Sequence, residues 1–225
     1  MILSYKYLLY NVYVIKFLLN LADWIYKKKC YFCSKSHENT LMCSKCCEKI
    51  DFLPAGANKI ISGVNIFCAC EYKGILQKLI RGIKYHNKKE LAYYQAKLMS
   101  EYWQKLNKTD KYIVVPVPLS KERKKKRKYN QMELVGEEFC KMTGYDMRTD
   151  IIERVKNTKP QYKLTRKQRM ENLDKAFVVN SKNYNGENIL LIDDICTTGA
   201  TFESIITELQ KNNIDNITCF ATSTP

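Results

Sequence analysis

Apolar residues in this chain fall into two kinds of pattern. Ile113-Val114-Val115 and Ile189-Leu190-Leu191-Ile192 are aliphatic runs without alternation, as expected of strands covered on both faces. Helical stripes separate and follow them. Ile75, Leu76, Leu79, Ile80 and Ile83 form one, and a second helix is predicted from about Lys89 to Leu106. Met132, Val135, Phe139 and Met142 place a third from about Gln131, with Gly144 as its C-terminal cap. Phe202, Ile205, Ile206 and Leu209 give a fourth. Further strands are predicted over Gly63 to Tyr72, near 148–155 and near 216–222. This alternation predicts an α/β domain with a mainly parallel sheet, right-handed crossovers and helices on both faces. Ligands of such open sheets sit beyond the carboxyl ends of the strands, where the segment Asp193 to Thr201 falls.

The first residues differ from the rest. Tyr7 to Tyr26 is apolar and aromatic, but Asn11, Lys16, Asn20 and Asp23 interrupt it, which is costly for a bilayer span. A helix packed on its own protein is the better reading, and no small-residue cleavage site marks a signal peptide. The location expected is cytoplasmic, with weak peripheral contact at the inner membrane left open. Residues 1 to about 26 are thus a lead helix, and about 27 to 57 a cysteine-rich module. Pro54-Ala55-Gly56-Ala57 is a candidate hinge before the main domain at 58–225.

Between the Ile189–Ile192 run and its helix stand Asp193 and Asp194, then Thr197-Thr198-Gly199-Ala200-Thr201. The latter segment combines hydroxyls, backbone N–H groups and little bulk at a helix N-terminus, which makes an anion cradle suited to a phosphate. Carboxylates just before it can accept hydrogen bonds from vicinal hydroxyls or help hold a hydrated divalent cation. Acids beside a phosphate cradle suggest a sugar phosphate.

The chain has 225 residues, 45% of them hydrophobic, enough for one α/β domain and a small appendage. Its ten cysteines are unevenly placed, five of them between Cys30 and Cys47. Cys30-x-x-Cys33 and Cys43-x-x-Cys46 read as two knuckles whose four thiolates suit a closed, structural, tetrahedral zinc site. A one-residue shift would let Cys47 replace Cys46 as fourth ligand, and His37 is a further competitor.

A formal net charge of +15 makes polyanions the natural partners. The excess is concentrated. Lys121, Arg123, Lys124, Lys125, Lys126, Arg127 and Lys128 form one run, and Arg154, Lys156, Lys159, Lys163, Arg166, Lys167 and Arg169 a second patch, both predicted as loops flanking strand ends. Tyr129 and Tyr162 lie inside them, and aromatic faces among cations suit stacking on single-stranded bases. Ser120 and Lys121, after Pro116-Val117-Pro118, are placed to contact a pyrophosphate, and a basic 156–172 loop could close over a bound ligand.

Taken in order, several segments resemble one family. They are the paired Cys-x-x-Cys, Val115-Pro116-Val117-Pro118-Leu119-Ser120 and Arg127-Lys128-Tyr129-Asn130-Gln131. Thr165, Arg166, Gln168, Arg169, Asn172 and Ala176-Phe177 follow, then the Asp-Asp loop. Over nearly its whole length the chain is similar to the ComF family of competence-associated, amidophosphoribosyltransferase-like proteins. The family usually has Arg-Gly-Phe-Asn-Gln at 127–131, so Lys128 takes the place of a glycine. The resemblance implies a type I phosphoribosyltransferase fold with an N-terminal zinc module, and handling of incoming single-stranded DNA in natural transformation. It implies that Asp193 and Asp194 take the ribose hydroxyls of 5-phosphoribosyl-1-pyrophosphate (PRPP), bound with Mg2+, while Thr197, Thr198, Gly199, Ala200 and Thr201 take its 5-phosphate. Three readings follow: a DNA-handling adaptor that retains the PRPP pocket, an active phosphoribosyltransferase with Asp193 and Asp194 as catalytic groups, or a zinc-module partner of a helicase or membrane channel.

Overall fold

The run Ile189–Ile192 lies at the centre of a six-stranded sheet, and all four side chains are fully buried. The computed structural model describes residues 29–36, 40–155 and 176–225. The lead helix expected over 1–26, His37, and the second basic patch from Lys156 to Arg169 with its closing loop lie outside the described residues. Two compact units divide between Glu48 and Lys49.

In the first unit, two tight turns carry the cysteine pairs. Ser34 N–H donates to the Cys30 carbonyl at 2.8 Å, and Ser34 adopts a positive φ of 61° to close that knuckle. Tyr31 N–H donates to the Leu41 carbonyl at 2.9 Å, and the second knuckle opens the one-turn helix α1 (Ser44–Cys47).

The second unit is a mixed α/β sheet domain, mostly parallel, as expected. Its elements are β1 (Lys59–Ile61), β2 (Val64–Glu71), α2 (Gly74–Tyr85), α3 (Leu91–Lys105), β3 (Tyr112–Pro116), α4 (Lys121–Arg127) and α5 (Gln131–Thr143). After these come β4 (Asp146–Met147), β5 (Ile152–Arg154), β6 (Phe177–Val179), β7 (Asn188–Ile195), α6 (Ala200–Lys211) and β8 (Ile217–Thr224). The sheet order is β1-β2-β8-β7-β3-β4, parallel except for the β1–β2 hairpin. That hairpin turns on Ser62 and Gly63, both at positive φ, as a two-residue turn between twisted strands requires.

Alternation along the strands feeds two cores. Ile113, Val115, Ile189 and Leu191 pack with Ile205, Ile206 and Leu209 of α6 and with the β5–β6 ribbon. On the opposite face, Phe220 meets Tyr102 and Trp103 of α3 and Phe139 of α5. Gly136 lets α5 approach closely, since a Cβ there would lie 3.2 Å from Ile192 and 3.8 Å from Val114. Gly144 ends α5 as expected, its N–H bonded to the Cys140 carbonyl at 2.8 Å. The Pro54 and Gly56 carbonyls both accept from the Tyr102 hydroxyl, at 2.8 and 3.1 Å.

Two expectations need correction. The strand predicted near 148–155 is not a strand of the main sheet: the parallel edge strand β4 lies just before it, and β5, within it, pairs antiparallel with β6 in a separate ribbon. The run from Lys121 to Arg127 is a helix, not a loop. Lys, Arg and Glu are good helix formers, and Ser120 supplies the N-cap, so high charge does not prevent helix formation.

Candidate functional site

From β3 the chain runs outward to β4, and from β7 it runs outward in the opposite direction to β8. The crevice beyond the carboxyl ends of β3 and β7 is therefore a topological switch point, the usual place for a ligand in an open α/β sheet. Pro116 and Ser120 border it on one side, and Asp193 to Thr201 on the other.

β7 extends through both acids to Ile195, so the pleat sends their side chains to opposite faces. Asp194 is buried on the α2 and α5 side. Its Oδ2 lies 2.7 Å from Lys84 Nζ and accepts from Gln131 Nε2 at 2.9 Å. Asp193, part-buried on the other face, accepts from Asp194 N–H at 2.8 Å. Enclosure and the neighbouring Asp194 carboxylate push its carboxyl up to about 8, although Lys84 works in the other direction. Arg154 of β5, buried over the Phe177 ring, is lowered to about 10 by burial and by Arg123, while Asp193 works in the other direction.

The loop after β7 and the start of α6 line a small open depression with Asp193. Gly199 has φ 86°, and a Cβ there would lie 2.2 Å from Ile61 Cδ1, so glycine is required for both conformation and space. Thr198 Oγ1 accepts from Ala200 N–H at 3.4 Å, and Lys59 Nζ donates to the Thr197 carbonyl at 2.6 Å, pinning the loop to β1. Thr197, Thr198, Gly199, Ala200 and Thr201 thus converge with Asp193 as the spacing predicts, at the start of a helix of 12 residues.

Ser120 is buried and its Oγ accepts from Arg123 N–H at 3.4 Å, so its position is that of a helix cap. Lys121 Nζ lies 3.9 Å from Glu153. Arg123, Lys124, Lys125, Lys126 and Arg127 are carried by α4, none of whose residues is buried. Lys128, in place of the usual glycine, ends α4 in the left-handed conformation with φ 67°, its N–H bonded to Lys124 O at 2.7 Å. Tyr129 is half-buried, and its hydroxyl donates to the Ile83 carbonyl. Asn130 caps α5 through Met132 N–H and donates to the Val117 carbonyl at 3.1 Å, locking the α4–α5 corner onto the exit of β3. The sequence pattern does not single out Lys84, which reads as a polar position of an amphipathic helix, or Gln131 as a partner of Asp194.

In the first unit, the Sγ atoms of Cys30, Cys33, Cys43 and Cys46 all lie within 4.8 Å of one another. Cys30 to Cys46 and Cys33 to Cys43 are each 3.8 Å apart. Sulfurs at zinc–thiolate distance on a tetrahedron are separated by about 3.8 Å, so this donor set fits a metal ion such as zinc. Cys46, not Cys47, completes the group. Burial works against ionisation of Cys30, but the backbone N–H groups of Cys43, Cys33 and Phe32 outweigh it and bring the thiol down to about 6; burial pushes Cys46 up. Among the described residues no helix is long and apolar enough to cross a membrane.

No family model matches the chain. Among solved structures, similar chains include the allosteric regulatory enzyme of purine biosynthesis (15% identity, TM-score 0.40, 60% of this chain and 26% of that one). Another is adenine phosphoribosyl transferase from Trypanosoma brucei (10% identity, TM-score 0.37, 79% and 76%). Among curated proteins, the chain is 33% identical to Competence protein F of Haemophilus influenzae over 106 residues, 46% of each chain. It is 29% identical to Competence protein ComFC of Bacillus subtilis over 132 residues, 58% of this chain and 51% of the relative. The match to DNA utilization protein YhgH of Salmonella typhimurium is 27% identical over 177 residues, 77% of this chain and 73% of the relative. The matches thus span about half the length of the first two relatives and nearly three quarters of the third. By these matches the chain is a homologue of the competence protein F, ComFC and YhgH proteins.

Proposed function

We propose that this protein handles single-stranded DNA during DNA uptake and carries a pocket for PRPP or a related phosphoribosyl ligand. One juxtaposition carries the reading. A helix N-terminal loop with an anion-binding composition, Thr197–Thr201, shares its depression with Asp193, and Gln131, at the corner that follows the cationic helix α4, bonds the adjacent Asp194. In this reading the loop takes the 5-phosphate, Asp193 the ribose hydroxyls, and α4 the phosphates of a nucleic acid strand. The names of the competence and DNA utilization relatives support the DNA-uptake role.

Zinc in the four-cysteine group would serve structure, since all four positions of a tetrahedral ion are filled by the chain. That group is the one cluster of three or more metal-ligating side chains among the described residues. In this reading a magnesium ion enters with the pyrophosphate oxygens of the ligand, the hard oxygen donors that it prefers.

The test is parallel titration with PRPP plus Mg2+ by calorimetry and with labelled single-stranded DNA by anisotropy. Asp193→Asn/Asp194→Asn should lose PRPP and keep DNA; alanine at Lys124, Lys125, Lys126, Arg127 and Lys128 should do the reverse. Absence of both ligands from the parent protein at low salt would sink the proposal. Steady pyrophosphate release with a defined nucleobase would replace the adaptor by an enzyme.

A further inference from the structure

The last turn of α2 carries a tyrosine that the pocket does not use. Tyr85 is 62% exposed, the most exposed aromatic side chain among the described residues with large exposed apolar surface. Two guanidinium groups from different helices lie over its ring: Arg81, one turn earlier on α2, at 5.7 Å from the centroid, and Arg127, at the end of α4, at 5.2 Å. An isolated exposed tyrosine carries no message. This one has two cations against its ring, and one of them is itself oriented, since Arg127 Nη1 donates to Gln131 Oε1 at 2.8 Å. A second aromatic ring adjoins the same turn. Tyr129 is fixed by its hydroxyl to the Ile83 carbonyl, with Lys89 Nζ 4.7 Å from its ring centroid.

We infer that Tyr85, Arg81, Arg127 and Tyr129 form a base-stacking surface for single-stranded nucleic acid, at the junction of α2 and α4. The inference rests on the DNA-handling reading and names where the bases go. Planar guanidinium groups and tyrosine rings offer sequence-tolerant faces to unpaired bases, while the lysines of α4 track the phosphates. A duplex keeps its base faces stacked inside, so the surface favours single strands over duplexes of equal charge. Its position also links it to the pocket. Gln131 joins Arg127 to Asp194, and Lys84, the neighbour of Tyr85 in sequence, pairs with the same carboxylate. Arg127 therefore shares Gln131 with Asp194, the acid next to the Asp193 that lines the pocket.

The test uses the full chain and anisotropy titrations of a fluorescent oligothymidine, an oligouridine and a duplex over a range of salt. Tyr85→Ala is expected to weaken single-strand binding roughly 5- to 150-fold, the span found for removal of one stacking ring. Its salt slope should be unchanged, and Tyr85→Phe should bind as the parent does. Lys124→Ala/Lys125→Ala/Lys126→Ala should instead flatten the salt slope by about one unit for each phosphate that is no longer neutralised. Arg127→Lys keeps the charge but not the plane, and should resemble Tyr85→Ala. Since Tyr85 is exposed, its truncation leaves the core intact, and an unchanged thermal midpoint verifies this. Should Tyr85→Ala bind oligothymidine as tightly as the parent while the lysine variant fails, the stacking surface is overturned and the DNA-handling reading survives. If the parent binds no oligonucleotide at low salt, the DNA-handling reading itself is overturned. Equal affinity for duplex and single strand would also overturn the stacking surface.

Discussion

Lys84 of α2 reaches the carboxylate of Asp194, 110 positions later in the chain, across 2.7 Å, and both side chains are largely buried, at 15% and 7% exposure. An ion pair in this setting gains little net stability, because desolvation offsets most of the attraction. Removing one partner is different, since it strands the other charge. Lys84→Met should cost about 3 kcal/mol, near the lower end for a broken buried pair because Gln131 still donates to Asp194. Lys84→Met/Asp194→Leu should recover most of that loss. Urea denaturation of the single and double variants measures the difference; strictly additive costs would mean the pair is not coupled.

Asp193 gives the site a pH dependence. Its carboxyl ionises near 3.8 in the unfolded chain and is raised to about 8 in the folded one by burial and by Asp194. Stability from this group is complete below about pH 4, and declines as pH rises toward 8, because only the unfolded state releases the proton over that window. Asp193→Asn should therefore be more stable than the parent by about 1–2 kcal/mol at pH 8, discounted for partial solvent access, and equal to it at pH 4. The same substitution should remove PRPP binding, and parent affinity for PRPP should rise as pH passes through 8 and the carboxylate forms.

Gly199→Ala tests the loop. A Cβ meets Ile61 Cδ1 at 2.2 Å, and the positive φ of 86° costs a side-chain-bearing residue about 1 kcal/mol or more. The variant should lose phosphate-loop binding and about 2–3 kcal/mol of stability. Adding Ile61→Ala should restore the part due to steric overlap and leave the part due to backbone conformation, read as a partial recovery of the thermal midpoint.

Lys128 makes the opposite prediction. It holds a left-handed conformation where a glycine would be unstrained. Lys128→Gly relieves about 1 kcal/mol of strain and loses some of that to the greater freedom of the unfolded chain, so a net gain of about 0.5 kcal/mol is expected. A fall in the denaturation midpoint would mean that the lysine side chain contributes an interaction larger than the strain.

How much of this is legible in the sequence depends on the range of the interaction. β7, α3 and α5 stand out because their signals are local: an aliphatic run, helical stripes, and Gly144 as a cap. The cysteine pairs and the Thr197–Thr201 loop are local too, and both converge as their spacing suggests. β1 leaves little trace because it is three residues long and Ile60 is exposed, with only Ser62-Gly63 as a turn signal. α4 reads as a loop because its charge density masks the Ser120 cap. The Lys84–Asp194 pair and the Arg127–Gln131–Asp194 chain join elements distant in sequence, and no local pattern encodes them. That the two acids point to opposite faces follows from continuing β7 by two residues, a boundary that hydrophobicity does not mark.

The same locality decides between Cys46 and Cys47. Cys43 caps α1 and Cys46 stands three residues on, which brings its sulfur back over the turn toward Cys30, at 3.8 Å; Cys47 lies one position further round and outside the group. Cys46→Ser should therefore abolish stoichiometric zinc, whereas Cys47→Ser should retain it, as measured by elemental analysis after dialysis. Because a closed thiolate site contributes its binding free energy to folding, a strong chelator should unfold the first unit in the parent and in Cys47→Ser alike. Protons released on zinc binding provide an independent check, since the ion must displace them from thiols such as Cys46 that burial holds protonated. Retention of one zinc per chain by Cys46→Ser together with its loss from Cys47→Ser would reverse the ligand assignment.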